Sequence, residues 1–278
     1  MDLERVLRDL GWGRGARAGK FVAYFHLVDA CGGSGCPVCR CLRELTLRSL
    51  DALLYEQVND PDTRARLSRS WGFCAWHAWL ATEVRNAPLG IAIVYEDLLR
   101  QARARLGAAH LELTRAPVAR GWRRLFRRAT PVELVAARAA RVPCPLCVTL
   151  AEAEAGYLRT VLDSLEDPEF DGAYGRSDGL CLPHLVLALA AHPGHGGAAA
   201  LVARALQKLD RLAAELRAFV AKHDYREQAP FSPDEAVSWT RALGFLVGGR
   251  EIFGHEVSRS PGPAGAIAPP EPSDPHQT

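Results

Sequence analysis

Two copies of one cysteine and histidine pattern constrain this chain more than any other feature of its 278 residues. Residues 36–77 and 144–184 each open on Cys-Pro-x-Cys, as Cys36-Pro37-Val38-Cys39 and Cys144-Pro145-Leu146-Cys147. Each passes an Asp-Pro step, at Asp60-Pro61 and Asp167-Pro168, and closes on Arg-Ser-x-Gly-apolar-Cys-x-x-His. That closing run is Arg69 to His77 in the first copy and Arg176 to His184 in the second. The copies stand 108 residues apart at their first cysteines (36 to 144) and 107 apart at their histidines (77 to 184), so a one-residue gap aligns them. An internal repeat of this kind means one structural unit built twice.

The spacing carries a chemistry. Proline suits the first turn of a helix and a small polar residue suits the cap before it, so Cys-Pro-x-Cys predicts a helix start with two sulfurs one turn apart. Cys74 with His77, and Cys181 with His184, stand in the same i, i+3 relation. Three thiolates and one imidazole form the closed tetrahedral shell that zinc prefers. The residual negative charge of such a shell is favoured at helix N-termini. The expected ligands are Cys36, Cys39, Cys74 and His77 for one ion and Cys144, Cys147, Cys181 and His184 for a second. With 34 residues between the half-sites of the first copy and 33 in the second, each quartet is expected to close within its own copy, through an antiparallel helical hairpin. Each ion would contribute on the order of 10 kcal/mol of apparent folding free energy.

The remaining pattern is helical. Leu47, Leu50, Leu54 and Val58 recur three or four apart, as do Ile91, Tyr95, Leu98, Ala102 and Leu106, and then Leu201, Ala205, Leu209, Leu212, Leu216 and Phe219. No alternating strand pattern intervenes. Thr130-Pro131-Val132-Glu133 and Ser232-Pro233-Asp234-Glu235 mark two further helix starts, and Gly248-Gly249 a stop. The expected fold is all-α, two similar helical-hairpin repeats packed as one body with a Cys3His site each. It divides into an N-terminal helix or linker (1–20), a first repeat (21–115), an arginine-rich connector (116–129) and a second repeat with a C-terminal helix (130–249). Residues 258–278, rich in Pro, Gly, Ser and Ala, read as a disordered tail.

Rival chemistries are open at this level. Cys31, Cys36 and Cys39, with Cys74 as a fourth ligand, have the C-x4-C-x2-C spacing of plant-type iron-sulfur proteins. The second copy has Ala139 and Thr149 where Cys31 and Cys41 align, which leaves those two cysteines as bystanders or redox-sensitive neighbours. Cys-Pro-x-Cys also occurs in dithiol oxidoreductases, beside a strand that is missing here. Arg40 and Val148 exclude covalent haem attachment. A closed shell leaves no position for a nucleophilic water, so the pattern leans away from an enzyme and towards a metal-stabilised scaffold or interaction protein. Trp122 and Phe126 among Arg120, Arg123, Arg124, Arg127 and Arg128 offer a nucleic-acid contact as a further alternative, weighed against a solvated connector. The glycines from Gly11 to Gly19 lack a phosphate-loop pattern, and His192 and His195 read as loop histidines rather than auxiliary ligands.

Charge and composition narrow the setting. A formal net charge of +2 gives no global attraction for polyanions. The start, Met1 to Gly11, is charged from Asp2 onward and lacks the apolar core of a secretory signal, and no run of about 18 uncharged apolar residues occurs. A cytoplasmic chain with no membrane insertion is expected, where cysteines hold metals more often than disulfides. Together the duplicated motifs, the Asn86 to Gly90 turn and the ending from Ser232 to Gly249 resemble a bacterial helical family catalogued only as a domain of unknown function. The resemblance covers about residues 21 to 249 and implies an architecture; it implies no activity.

Overall fold

The computed structural model describes residues 18–115, 142–226, 229–250 and 252–253. Among them lie ten α-helices, one short 3-10 turn and no strand. The first copy carries α1 (Ala18–Cys31), α2 (Pro37–Tyr55), α3 (Pro61–Ser70), α4 (Ala75–Leu80) and α5 (Ala87–Arg115). The second carries α6 (Pro145–Ser164), α7 (Pro168–Arg176), α8 (Leu182–Ala191) and α9 (Ala198–Ala221), and α10 (Pro233–Val247) follows. The all-α expectation holds. The arginine-rich connector, the Thr130 helix start, the glycines at 11–15 and the 258–278 tail lie outside the described residues. No described helix is long and apolar enough to cross a membrane.

Every helix start that the repeat predicts is made in the same way twice. Asp60 and Asp167 cap α3 and α7, their carboxylates accepting from the backbone N–H of Thr63 at 2.8 Å and of Phe170 at 3.0 Å, with proline in the first turn. Cys36, Cys144, Cys74 and Cys181 occupy the cap positions of α2, α6, α4 and α8. Ser232 and Glu235 close a reciprocal capping box at α10.

The long helices α2 and α6 pack antiparallel and tie the copies together. Leu146, near the start of α6, is buried with Leu50, Leu53 and Leu54 near the end of α2. Cys41, Leu42 and Leu45, near the start of α2, are buried with Ala153, Tyr157, Leu158 and Val161 farther along α6. Each apolar core therefore draws on both copies.

Of the predicted stripes, Leu50, Leu54, Leu98, Leu201, Ala205 and Leu212 are buried and the rest half-buried, with two departures. α2 ends at Tyr55, so Val58 is buried from the following turn rather than from the helix. In α5, Leu98 and Ala109 are buried while Leu106 is 57% exposed. At 3.6 residues per turn Leu106 stands about 80° round from Leu98 whereas Ala109 stands about 20° away, so successive i+4 steps leave the stripe.

Two glycines permit the closest helix approach. An added Cβ on Gly90 would lie 2.2 Å from the Leu54 carbonyl oxygen, and one on Gly197 would lie 2.3 Å from that of Leu162, the same contact in both copies. Neither backbone oxygen can step aside alone. Gly90→Ala is expected to cost about 2 kcal/mol or more in a denaturant titration. Gly107→Ala in the same helix α5, where an added Cβ meets nothing, should gain up to about 1 kcal/mol.

Candidate metal centres

The eight expected ligands converge as two quartets, but not as the spacing predicts. Cys36 and Cys39 meet Cys181 and His184, and Cys74 and His77 meet Cys144 and Cys147. Each centre thus takes its Cys-Pro-x-Cys from one copy and its Cys-x-x-His from the other, which corrects the expectation of closure within a copy. Helix length is the reason. The 19 residues of α2 extend about 28 Å, and the ten residues of α3 can carry the chain only about 15 Å in any direction. Helix α4 therefore starts well short of Cys36. Antiparallel packing of α2 on α6 brings the first turn of α6, with Cys144 and Cys147, beside the start of α4 instead.

Local structure aims the second half of each site. Gly179 sits at φ +75° and Gly72 at φ +82°, left-handed values that bend the chain immediately before Cys181 and Cys74. In the second copy the bend is held by Tyr174, whose hydroxyl accepts from the Leu180 N–H at 3.0 Å, and by Ser177, whose hydroxyl accepts from the Gly179 N–H at 3.1 Å. Lys208 caps the end of α7, donating to the carbonyls of Tyr174, Gly175 and Ser177 at 2.6–3.0 Å. Burial pulls its amine down to about 8. In the first copy the Ser70 hydroxyl donates to the Gly72 carbonyl at 2.8 Å.

The ligand edges can be compared with a tetrahedron. Zn–S bonds of about 2.3 Å and Zn–N bonds of about 2.0 Å place sulfurs about 3.8 Å apart and sulfur and nitrogen about 3.5 Å apart. In the first centre Cys39 Sγ is 3.8 Å from Cys181 Sγ, and His184 Nδ1 is 3.3, 3.4 and 3.3 Å from Cys36, Cys39 and Cys181. In the second, Cys147 Sγ is 3.7 Å from Cys74 Sγ, and His77 Nδ1 is 3.3, 3.6 and 3.5 Å from Cys74, Cys144 and Cys147. Both histidines present Nδ1. All the ligand atoms of a group lie within 4.8 Å of one another, so both groups could hold a metal ion.

Electrostatics favours a dication in both places. Burial opposes ionisation of Cys36, yet hydrogen bonds from Cys181, Cys39 and His184 pull its thiol well below the ordinary range. Hydrogen bonds from Cys144 and Cys147 do the same for Cys74. The cost falls on neighbours: hydrogen bonding with Cys181 and Cys36 pushes Cys39 far up, and Cys144 and Cys74 push Cys147 up. Burial opposes the histidine charges, but His184 is raised to about 11 by Cys181, Cys36 and Glu154, and His77 to about 9 by Cys144 and Cys74. Crowded together, the three sulfurs of a site cannot all ionise on their own, and a divalent cation among them would let them do so.

The surroundings of the two centres differ. At the first, all four ligands are buried. His184 Nε2 lies 3.0 Å from Glu154 Oε1, the carboxylate–histidine pairing that fixes a ligand ring. The Gly249 N–H donates to Cys39 Sγ at 3.2 Å, and the Phe253 ring stands 4.8 Å from that of His184. At the second, Cys74 and Cys147 are only partly buried. Sequence reasoning missed Glu154 and the sulfur contact of Gly249. The glycine pair had a legible signal as a helix stop, and an added Cβ on Gly249 would lie 2.9 Å from the Cys39 Cβ, so the approach needs glycine. Glu154→Gln is expected to weaken metal retention at the first centre by about 10- to 100-fold and leave the second unchanged, measured by competition with a graded chelator.

Other candidates stand apart from both centres. Cys31 and Cys41 belong to neither quartet, and Cys74 lies in the opposite centre, so the C-x4-C-x2-C set does not assemble. Both are buried; burial pushes the Cys31 thiol up and that of Cys41 up to about 12, with Cys41 donating to the His26 carbonyl at 3.5 Å. His195 Nε2 lies 3.0 Å from Asp163, and its Nδ1 accepts from the Gly197 N–H, so it serves the turn into α9. His192 lies 6.3 Å from it, ring to ring.

No solved structure matches the chain. A curated relative, described as an uncharacterized 23.9 kDa protein in the xynA 3′ region of Caldicellulosiruptor sp. (strain Rt8B.4), is 25% identical over 219 residues, covering 77% of this chain and 95% of that protein. The profile of a family of unknown function, DUF6062, matches residues 25–251, and since that span contains both quartets and nearly every described helix, the chain belongs to this family.

Proposed function

We propose that the chain is a helical scaffold or interaction protein stapled by two structural zinc ions. The supporting observation is that in each centre all three sulfur–nitrogen edges, 3.3–3.6 Å, and one sulfur–sulfur edge, 3.7–3.8 Å, fit a single four-coordinate ion with every position taken by protein. With no ligand position left for water or substrate, the ions serve structure rather than hydrolysis. A multi-iron cluster would hold its four ligands apart by the width of its core, so these edges favour the mononuclear reading over iron-sulfur. Eight cysteines without a disulfide among them suit a reducing compartment such as a bacterial cytoplasm.

The interaction part rests on exposed apolar side chains, Trp239, Leu243 and Leu246 on α10 together with Leu182 and Val186 on α8. Elemental analysis of chain purified without oxygen tests the metal. Two zinc per chain, a colourless solution, and intense visible bands on replacement by cobalt are expected. Iron with broad visible absorption would replace the zinc reading by a redox one.

A further inference from the structure

We infer that the second centre is an oxidation site, at which a peroxide joins Cys74 to Cys147 and releases the metal, while the first centre keeps its own. The inference rests on the zinc reading above and deepens it. Three features carry it. Sγ of Cys74 and Sγ of Cys147 stand 3.7 Å apart, on different helices and from different copies, and must close only to about 2.05 Å to bond. Both residues are only partly buried, whereas every ligand of the first centre is buried. The first centre is further protected, its Cys39 sulfur engaged by the Gly249 N–H and its histidine ring faced by Phe253. Sulfur oxidation follows thiolate character and access, so the two otherwise matched centres should differ in rate.

The chemistry balances with peroxide as the named oxidant. One of the two thiolates attacks the peroxide O–O bond, becomes a sulfenic acid, and the leaving hydroxide takes a proton to form water. The second thiolate displaces the sulfenic oxygen, which leaves as a second water after protonation, and the disulfide forms. Two thiolates and one hydrogen peroxide thus consume two protons and give one disulfide and two waters. With those two sulfurs joined, only Cys144 and His77 would remain to hold an ion, too few for a closed site. Reduction by a thiol in the presence of zinc reverses the sequence.

The test uses the full chain after its zinc content has been measured. Hydrogen peroxide is added in steps, released zinc is read with a chromogenic chelator, and crosslinked peptides are identified by mass spectrometry. The expected result is a first phase that releases one zinc per chain, with the loss of two thiols and a Cys74–Cys147 crosslink. A second zinc should be held at several-fold higher peroxide, and dithiothreitol with zinc should restore the start. Cys39→Ser should still release one zinc in the fast phase, and Cys147→Ser should lose that phase. Because the crosslink is mapped on the unsubstituted chain, a poorly folded variant does not decide the matter. Simultaneous loss of both ions, or a first crosslink between Cys39 and Cys181, overturns the inference and leaves the zinc reading standing. A chain that purifies without metal removes both.

Discussion

Removal of both metals by a strong chelator, with the thiols kept reduced, is expected to abolish cooperative thermal unfolding of the chain. A closed Cys3His site contributes on the order of 10 kcal/mol of apparent folding free energy at neutral pH, and a domain has about 5–15 kcal/mol in total, so two sites outweigh the net stability. Where the metal is lost matters as much as how much is lost. Each centre lies where the start of one long helix meets a Cys-x-x-His of the other copy, so an ion in each would pin one end of the antiparallel α2 and α6 pair. Cys39→Ser should hold one metal and loosen the end carrying Cys181, and Cys147→Ser should hold one and loosen the end carrying Cys74. Far-ultraviolet circular dichroism against temperature, with metal content measured on the same sample, decides the question. Unchanged melting after complete metal removal would refute a structural role.

Division of the chain between residues 128 and 129 is expected to give two halves, neither of which holds a tight metal as a monomer. Each half keeps a Cys-Pro-x-Cys and a Cys-x-x-His, but the partner of each lies on the other half. Mixed with zinc, the halves should form a one-to-one complex with two metals, and Cys144→Ser in the second half should leave one. Light scattering with elemental analysis reads both quantities. A monomeric half carrying one tightly held zinc would restore the within-copy arrangement and contradict the crossed geometry.

That crossed geometry marks the boundary of what the residues announce on their own. The Cys/His half-sites were legible because Cys36, Cys74, Cys144 and Cys181 each precede a helix, a local feature set by capping and by Pro37, Pro145 and Pro183. The choice of partner was not, because it depends on how far α3 carries the chain and on the packing of α2 against α6. Those are tertiary facts, and the spacings of 34 and 33 residues are compatible with either pairing. Glu154 is hidden for a similar reason. In α6 it is one of two glutamates, and only the approach of His184, 30 residues on, distinguishes it. Leu106 misled because an apolar residue at i+4 looks periodic over one step and leaves the stripe over two.

The distance in sequence between partnered ligands also orders events on the ribosome. Cys74 and His77 wait about 70 residues for Cys144 and Cys147, and Cys36 and Cys39 wait nearly 150 for His184. At about 5–20 residues per second, the earliest pair of thiols spends on the order of ten seconds without its mate. Through that interval a nascent chain displays half-sites to whatever metal and thiol buffers surround it, and the last ligands to emerge are those that complete the most deeply enclosed centre.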